Sequence, residues 1–215
     1  DNQMGKEEQS VWKRTKCPCK KVIWAPHWSI EGSSFFSTST FLKTHDAMLR
    51  LAREFEGRIQ FAFKPHPLLY QALCRYPEWG KKRTDEYYKM WENMSNTQLV
   101  EGGYLALFNQ SDALIHDCGS FIIEYIRQQK PCMYLQYGIG YTHFNNMSKA
   151  ALKLHRIAQS EDDIKHFLEY VERGAANQVT SAGHSFIEEY LTPPNGKSAV
   201  QNIIDVILGQ ETSGS

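Results

Sequence analysis

Ser-Asp-Ala-Leu-Ile-His-Asp-Cys-Gly-Ser-Phe-Ile-Ile-Glu-Tyr-Ile-Arg-Gln-Gln, residues 111–129, is the stretch that decides the fold. Its first half contains the short apolar run Ala113–Ile115, which is typical of a buried strand. Its second half repeats apolar residues at helical spacing and predicts a helix over Ser120–Gln129. The small residues between them predict a tight turn from a strand end into a helix start. Free backbone amides and the helix dipole favour a phosphate group at such a turn.

The same alternation of short apolar runs and helix-period segments continues along the chain. Strands are predicted at Val22–Ala25, Ile59–Phe63, Gln98–Val100, Ala113–Ile115, Cys132–Leu135 and Leu154–Ile157. Further helices are predicted at Phe41–Phe55, Glu161–Arg173 and Ser198–Leu208. Ser160 and Asp163 have the spacing of a capping box before the second of these. The pattern indicates an α/β fold, a Rossmann-like parallel sheet with helices on both faces.

The composition limits the class of protein. The chain has 215 residues, of which 41% are hydrophobic, enough for one substantial core. Lys plus Arg and Asp plus Glu both number 24, so the net charge gives no reason to expect a nucleic-acid partner. The polar residues 1–20 predict a linker or disordered segment, residues 21–208 the folded domain, and residues 209–215 a disordered tail.

The cysteines and histidines show no metal-binding pattern. Five irregularly spaced cysteines, with no signal-like stretch before them, favour a reduced, cytoplasmic compartment. Cys17 and Cys19 lack a second ligand pair. Residues without a partner at a ligand-like spacing are His116, Cys118, His143, His155, His166 and His184. We therefore expect no metal. The chain also has no Gly-x-Gly-x-x-Gly motif, which argues against a dinucleotide oxidoreductase, and we expect no cofactor.

The predicted strand Ile59–Phe63 is followed by a second turn whose side chains suit phosphate binding or proton transfer, Lys64-Pro65-His66-Pro67. The two prolines restrict the backbone on both sides of His66, which suits a side chain whose orientation matters. Lys64 can neutralise phosphate charge, and His66 can either donate to a phosphate or accept a hydroxyl proton. A surface histidine in a rigid turn is the alternative.

The end of the first predicted strand offers further polar residues. His27 either faces a reaction centre or packs against Trp28. The Ser/Thr-rich segment 33–40 either binds an anion or forms a solvated loop, and Ser39 or Thr40 is a candidate cap for the next helix. The sequence contains no run of about 18 apolar residues, so we expect no membrane span, although contact with a membrane surface stays open.

The stretch quoted first contributes four candidates of its own. Gly119 allows close approach to the backbone, and Ser120 can donate its hydroxyl while capping the helix. Asp117 either joins the site or simply fixes the turn. Glu124, one helical turn after Ser120, can accept hydrogen bonds from ribose or glycerol hydroxyls, with a solvated surface charge as the alternative.

Taken in order, these segments resemble the C-terminal domain of the CDP-glycerol glycerophosphotransferase family of teichoic-acid-type polymer synthesis. The resemblance covers residues 21–208. It is carried by Ala25-Pro26-His27-Trp28, Lys64-Pro65-His66-Pro67, the block 111–120, Lys130-Pro131 and Asn195-Gly196-Lys197-Ser198-Ala199. The chain departs from the family pattern at two places. The family usually has Thr-Trp-Arg at residues 27–29, and commonly Asp-Tyr-Ser-Ser at residues 117–120.

This resemblance implies one lobe of a GT-B-like fold, whose C-terminal lobe binds a nucleotide donor. The donor-binding residues that it implies are Lys64, Asp117, Gly119, Ser120, Glu124, Gly196, Lys197 and Ser198. His66 and His27 are the catalytic candidates. The implied partners are CDP-glycerol or another nucleotide-activated donor, a polymer acceptor, and an N-terminal lobe of the same protein.

Three functions stay open from the sequence. The first is transfer of glycerol phosphate, or a similar polyol phosphate, from a CDP-linked donor to a cell-surface polymer hydroxyl, in the cytoplasm or peripherally on the inner membrane face. The second is a glycosyltransferase that uses a UDP- or CMP-sugar for capsule or surface polysaccharide synthesis. The third is a nucleotide-binding module without catalysis of its own.

Overall fold

A six-stranded, fully parallel sheet organises the protein. The computed structural model describes residues 10–15, 19–30, 39–137, 144–174 and 181–209. The strands are β1 Lys20–Ala25, β2 Ile59–Phe63, β3 Thr97–Leu99, β4 Ala113–His116, β5 Cys132–Leu135 and β6 Arg156–Ala158. Their order across the sheet is β3-β2-β1-β4-β5-β6, and each neighbouring pair is parallel. This doubly wound order confirms the Rossmann-like fold, with its switch point between β1 and β4.

Helices connect the strands. Within the described ranges they are α1 Phe41–Glu54, α2 Leu69–Arg75, α3 Gly80–Asn93, α4 Leu105–Gln110, α5 Phe121–Glu124, α6 Asn146–Leu152, α7 Glu161–Glu172, α8 Ser181–Phe186 and α9 Ala199–Ile207. Short 3₁₀ segments follow α5 at Tyr125–Gln128 and precede α9 at Pro194–Gly196, and a π-helical segment follows α8 at Ile187–Leu191.

The core lies on both faces of the sheet, which is why the central strands are continuous apolar runs. All residues of β2, β4 and β5 are buried. On one face Trp24 stacks on Phe63 at 5.0 Å between ring centroids and meets Trp91 at 5.3 Å. On the other face Ile23 packs in a cluster with Phe108 and Tyr125.

The predicted helix Ser120–Gln129 is divided. Its α-helical part is only Phe121–Glu124, and a 3₁₀ turn continues it to Gln128. Gln129, at φ 54°, adopts the left-handed conformation that ends the segment. The capping box before α7 forms as expected, because the Asp163 N–H donates to Ser160 Oγ at 3.2 Å and the Ser160 N–H donates to Asp163 Oδ2 at 2.9 Å.

Part of the segment expected to be a linker packs on the domain. Trp12 is 4% exposed and joins the cluster of Ile23 and Phe108. The side-chain amide of Gln98 donates to the Val11 carbonyl at 3.0 Å, and that of Gln60 donates to the Lys13 carbonyl at 2.7 Å. Residues 10–15 therefore belong structurally to the folded unit, whereas residues 1–9 and 16–18 lie outside the described ranges.

The last helix, α9, carries an unusual amount of exposed apolar surface. Val200, Ile203, Val206, Ile207 and Leu208 are each 59–79% exposed. Ser198 caps the helix by accepting the Gln201 N–H at 3.2 Å. None of the helices described in this chain combines the length and the apolar character that a membrane span requires.

Candidate functional site

The two turns singled out in the sequence lie at the carboxyl edge of the sheet, one on each side of the end of β1. The Lys64 N–H donates to the Trp24 carbonyl at 2.8 Å, and the His66 N–H donates to the Pro26 carbonyl at 3.0 Å. The turn after β2 therefore runs beside the end of β1. Because β4 pairs with β1 on its other side, the turn after β4 reaches the same edge. Ligands of doubly wound sheets bind at this edge, near the switch point.

Asp117 holds this edge together. Its carboxylate is fully buried and accepts the backbone N–H of His27 at 2.5 Å and the backbone N–H of Thr40 at 2.5 Å. The Thr40 hydroxyl donates to it at 2.9 Å. Burial raises the pKa of Asp117 to about 6, although these hydrogen bonds lower it. The sequence left two roles open for Asp117, contact with a ligand or fixing the turn. These contacts agree with the second role, since they join the end of β4 to the segment before α1.

Lys64 is a buried lysine that forms no ion pair within the described part of the chain. The residue is 6% exposed, and its side chain makes no hydrogen bond or ion pair with any residue that the structure describes. Burial lowers the pKa of Lys64, while the neighbouring Cys118 and Glu101 raise it. An ammonium group held in this way favours an anion that approaches from outside the chain.

His27 and His66 stand side by side above the strand ends, with ring centroids 5.1 Å apart in an edge-to-face arrangement. The Ser29 N–H donates to Nδ1 of His27 at 3.3 Å, and the Leu68 N–H donates to Nδ1 of His66 at 3.1 Å. An Nδ1 that accepts from an amide carries no proton in the neutral ring, so we infer that both rings carry theirs on Nε2. His27 also contacts Trp28, at 5.8 Å between centroids.

Both imidazoles are held neutral near pH 7. Burial, and then the neighbouring His66, lowers the pKa of His27 to about 4. Burial, and then the charge of Lys64, lowers the pKa of His66. Each ring therefore offers an Nε2–H donor rather than a positive charge. Together with the Lys64 ammonium, the pair forms a set of donors suited to phosphate oxygens.

The turn after β4 presents backbone rather than side chains. Gly119 and Ser120 are exposed, and a Cβ added to Gly119 would meet no described atom within 4 Å. The expected cap is absent, since the Ser120 side chain makes no capping hydrogen bond to α5. Thr40 likewise does not cap α1, because its hydroxyl is turned to Asp117. Cys118 anchors the turn by donating its thiol to the Ala25 carbonyl at 3.3 Å.

Within the described ranges, the remaining candidates make no hydrogen bond or ion pair with Lys64, His27 or His66. Glu124 is half-buried against Tyr104, whose pKa it raises through a side-chain hydrogen bond. Lys197 pairs with Asp205 at 2.8 Å, and Gly196, Lys197 and Ser198 are all exposed. Their contact with a donor stays a prediction. Residues 33–38 of the Ser/Thr-rich segment lie outside the described ranges, and so does His143.

Two histidines treated as unpartnered do have neighbours in the fold. His116 and His155 lie with Cys132 in one buried group whose ligand atoms are all within 4.8 Å of one another. Cys132 was not a candidate in the sequence. Only the alignment of β4, β5 and β6 brings the three together, since 16 and 23 residues separate them in the chain.

Comparison with known proteins supports the fold. A variant of the wall teichoic acid polymerase TagF shares 22% identity at a TM-score of 0.51, over 91% of this chain and 45% of that one. A structure described as the glycotransferase of kitacinnamycin shares 14% identity at a TM-score of 0.56, over 96% and 46%. The UDP-GlcNAc 2-epimerase of Methanocaldococcus jannaschii shares 11% identity at a TM-score of 0.50, over 80% and 46%.

These structures are similar in fold, and this chain spans less than half the length of each. That extent agrees with the expected single lobe of a GT-B-like fold. No curated protein matches the chain significantly. The sequence profile described as CDP-glycerol:poly(glycerophosphate) glycerophosphotransferase matches residues 2–208, nearly the whole chain. The chain therefore belongs to the CDP-glycerol:poly(glycerophosphate) glycerophosphotransferase family.

Proposed function

We propose that this chain is the donor-binding domain of a transferase that moves glycerol phosphate, or a similar polyol phosphate, from a CDP-linked donor to a hydroxyl of a cell-surface polymer. Membership of the family supports the reaction class. The observation that carries the assignment of the site is Lys64, a lysine 6% exposed and without an ion pair in the described chain. A diphosphate would form an ion pair with this ammonium at the edge where Rossmann-like sheets bind ligands.

The surrounding groups extend this cation into a diphosphate site. His27 and His66 add neutral Nε2–H donors beside it, and the exposed backbone of Gly119 and Ser120 adds amides from the next strand end. These groups come from the ends of β1, β2 and β4, so they can contact two phosphates at once. No divalent metal is required for charge neutralisation, since lysine, imidazole and amide donors can perform it.

In the proposed reaction the acceptor hydroxyl attacks the β-phosphorus in line. A new phosphorus–oxygen bond forms to the acceptor, the bond to the bridging oxygen breaks, and CMP leaves with that oxygen. The acceptor proton must pass to a base or to solvent. Nδ1 of His66 already accepts the Leu68 N–H, so Nε2 keeps the ring proton in the neutral form. This arrangement favours His66 as a donor to the transferring phosphoryl group over His66 as the base.

A comparison of two variants in the longer protein that contains both lobes separates these roles. We expect His66→Ala to reduce turnover by on the order of a hundredfold, the usual contribution of such a group. Gln retains an N–H donor but cannot act as a base. A donor role predicts that His66→Gln recovers a substantial part of the lost rate, whereas a base role predicts that it is as slow as Ala.

The donor identity is tested by titration of the domain with CDP-glycerol, CDP-ribitol and UDP-sugars. We expect CDP-glycerol to bind most tightly. Preferential binding of a UDP-sugar would instead favour a glycosyltransferase, a reading consistent with the fold likeness to the kitacinnamycin glycotransferase. Donor binding with no turnover in the longer protein would favour a nucleotide-binding module.

We further propose that a second lobe of the same protein completes the site. The relatives in the fold comparison are about twice as long as this chain. The exposed apolar side chains of α9 would be stabilised by burial against another part of a longer protein. The polymer acceptor would then bind between the lobes, with the protein in the cytoplasm or in peripheral contact with the inner membrane face. Glu124 would contact the ribose or glycerol hydroxyls, and Gly196–Ser198 the diphosphate.

A further inference from the structure

Three potential metal ligands from three neighbouring strands meet on one face of the sheet. His116 ends β4, Cys132 begins β5, and His155 immediately precedes β6. Their ligand atoms all lie within 4.8 Å of one another, and all three residues are buried. The register places Cys132 opposite Leu114 and Arg156 opposite Met133, which brings His155 next to Cys132. Residues far apart in the chain thus converge in one small volume.

The hydrogen bonds of the two histidines determine which ring nitrogen keeps a lone pair. Nδ1 of His116 lies 3.1 Å from the Cys118 carbonyl, and Nδ1 of His155 lies 3.0 Å from the Ala151 carbonyl. A carbonyl only accepts, so each Nδ1 carries the ring proton and each Nε2 carries a lone pair. This outer-shell arrangement is the one that metal-binding histidines almost always show.

Both lone pairs lack a partner. Nε2 of His116 and Nε2 of His155 are buried and accept no hydrogen bond from any described residue, and that includes the thiol of Cys132. His116 is fully buried and His155 is 8% exposed. Buried polar atoms normally find a partner, and two orphan acceptors in one buried group need an explanation. A bound cation would satisfy both at once.

We propose that His116, Cys132 and His155 bind a transition-metal ion of the zinc class. Two imidazole nitrogens and one thiolate sulfur suit Zn²⁺, which takes nitrogen and sulfur ligands in a tetrahedral arrangement. On binding, the Cys132 thiol loses its proton to solvent, and the sulfur forms the bond to the metal. Zinc bonds of about 2.0–2.3 Å separate tetrahedral ligand atoms by roughly 3.5 Å, so the three side chains need only a small inward movement.

The fourth ligand would come from an adjoining cavity. A cavity of about 470 Å³ is lined by Cys132 and His155 and gives an ion a route to the site. Lys130, Lys153 and Arg156 also line it. These cations favour an anionic fourth ligand such as hydroxide or chloride, which would neutralise the single positive charge left by Zn²⁺ and one thiolate.

The ion would act structurally. It would join β4, β5 and β6, and it would fix the backbone at His116, one residue before Asp117. The site is buried, and the ring centroid of His116 lies 5.4 Å from that of Tyr134 and 6.3 Å from that of Phe121, the first residue of α5. This metal is separate from the donor site, so its presence does not depend on the proposed transfer reaction.

Cobalt and zinc titrations of the purified 215-residue chain, first stripped with a chelator, test the proposal. We expect wild type to bind one equivalent of Co²⁺ with a thiolate-to-cobalt charge-transfer band, and Zn²⁺ to displace it. Cys132→Ser should lose the band. Loss of an outer-shell partner weakens metal binding by roughly 10- to 100-fold, and loss of a direct ligand such as Cys132 should weaken Zn²⁺ binding at least as much. Cys74→Ser, at a half-buried cysteine on α2, is the matched control and should bind as wild type does.

Circular dichroism of each variant establishes that it is folded. If Cys132→Ser does not fold, His155→Gln provides the same comparison, because it removes one nitrogen ligand and keeps the thiol. The proposal is overturned if folded wild type binds no Zn²⁺ stoichiometrically. It is equally overturned if the folded ligand variant binds Zn²⁺ as tightly as wild type.

Discussion

The imidazole rings of His27 and His66 meet edge to face, with 5.1 Å between their centroids. One ring follows β1 and the other follows β2, so the contact joins two strand ends at the carboxyl edge of the sheet. Each ring is oriented by a backbone amide that donates to Nδ1, from Ser29 in one case and Leu68 in the other. The pair therefore presents oriented donors beside Lys64 without adding a second positive charge.

The low pKa of His27 predicts a specific pH dependence of stability. The folded-state pKa is about 4, below the ordinary 6.5, so between these values the unfolded chain binds a proton that the folded chain does not. Stability from this residue is fully present above pH 6.5 and is lost as pH falls towards 4. Urea midpoints should fall less steeply over this window in His27→Gln than in wild type. His166→Gln, at an exposed site on α7, is the control, and parallel curves for His27→Gln and wild type would refute the assignment.

Removal of the Asp117 carboxylate should destabilise the domain. In Asp117→Ala the buried N–H of Thr40 and the half-buried N–H of His27 lose their acceptor, and an orphaned buried group costs about 1–3 kcal/mol. We expect the free energy of unfolding in urea to fall by at least about 2 kcal/mol. Asp117→Asn keeps one acceptor oxygen and should lose less. A loss in Ala below the ~0.5 kcal/mol typical of surface changes would contradict this role.

A substitution at Gly119 should weaken donor binding without changing the stability of the fold. Because space around it is open within the described chain, Gly119→Val should change the unfolding free energy by no more than about 0.5 kcal/mol. The same side chain would stand where the proposed phosphate approaches, so CDP-glycerol affinity should fall at least about tenfold. Calorimetric titration and urea unfolding of one preparation measure both quantities. Unchanged affinity would remove this turn from the donor site.

Trp12 tests where the folded unit begins. Truncation of a buried tryptophan costs about 3–5 kcal/mol, so Trp12→Ala should lower the unfolding free energy by that order. Val11→Ala, at a residue 42% exposed, is the neighbouring control and should have little effect. Equal stability of the two variants would restore the view of residues 10–15 as a linker.

The strands of this fold could be predicted because burial on both faces makes them continuous apolar runs, as in β2 and β5. The capping box at Ser160 could also be predicted, because its two residues lie three positions apart in the chain. Helices α2, α3, α4, α6 and α8 were not predicted. Four of them have only six or seven residues, and the buried residues of α3 are tyrosine, tryptophan and threonine rather than a periodic aliphatic set. The Asp117 contacts were not readable, since the carboxylate bonds to residues 77 and 90 positions away.

The group of His116, Cys132 and His155 could not be predicted from the sequence either. Sequence spacing indicated no partner for either histidine, because their neighbours come from strand register rather than from a local motif. The one available signal was that the cysteine begins a predicted strand beside the strand that His116 follows. The turn at Lys64, by contrast, was visible because two prolines and a strand end mark it locally.

The most direct test of the donor site is the affinity of CDP-glycerol for Lys64→Met, measured by calorimetric titration. Met preserves the length of the side chain and removes its charge. Loss of a charged hydrogen bond, worth about 1.5–3 kcal/mol, should weaken binding by roughly 10- to 100-fold. The control is Lys130→Met, since Lys130 is half-buried and its ammonium already donates to the Phe108 and Asn109 carbonyls. It should bind as wild type does, whereas wild-type affinity in folded Lys64→Met would contradict a diphosphate site at this edge of the sheet.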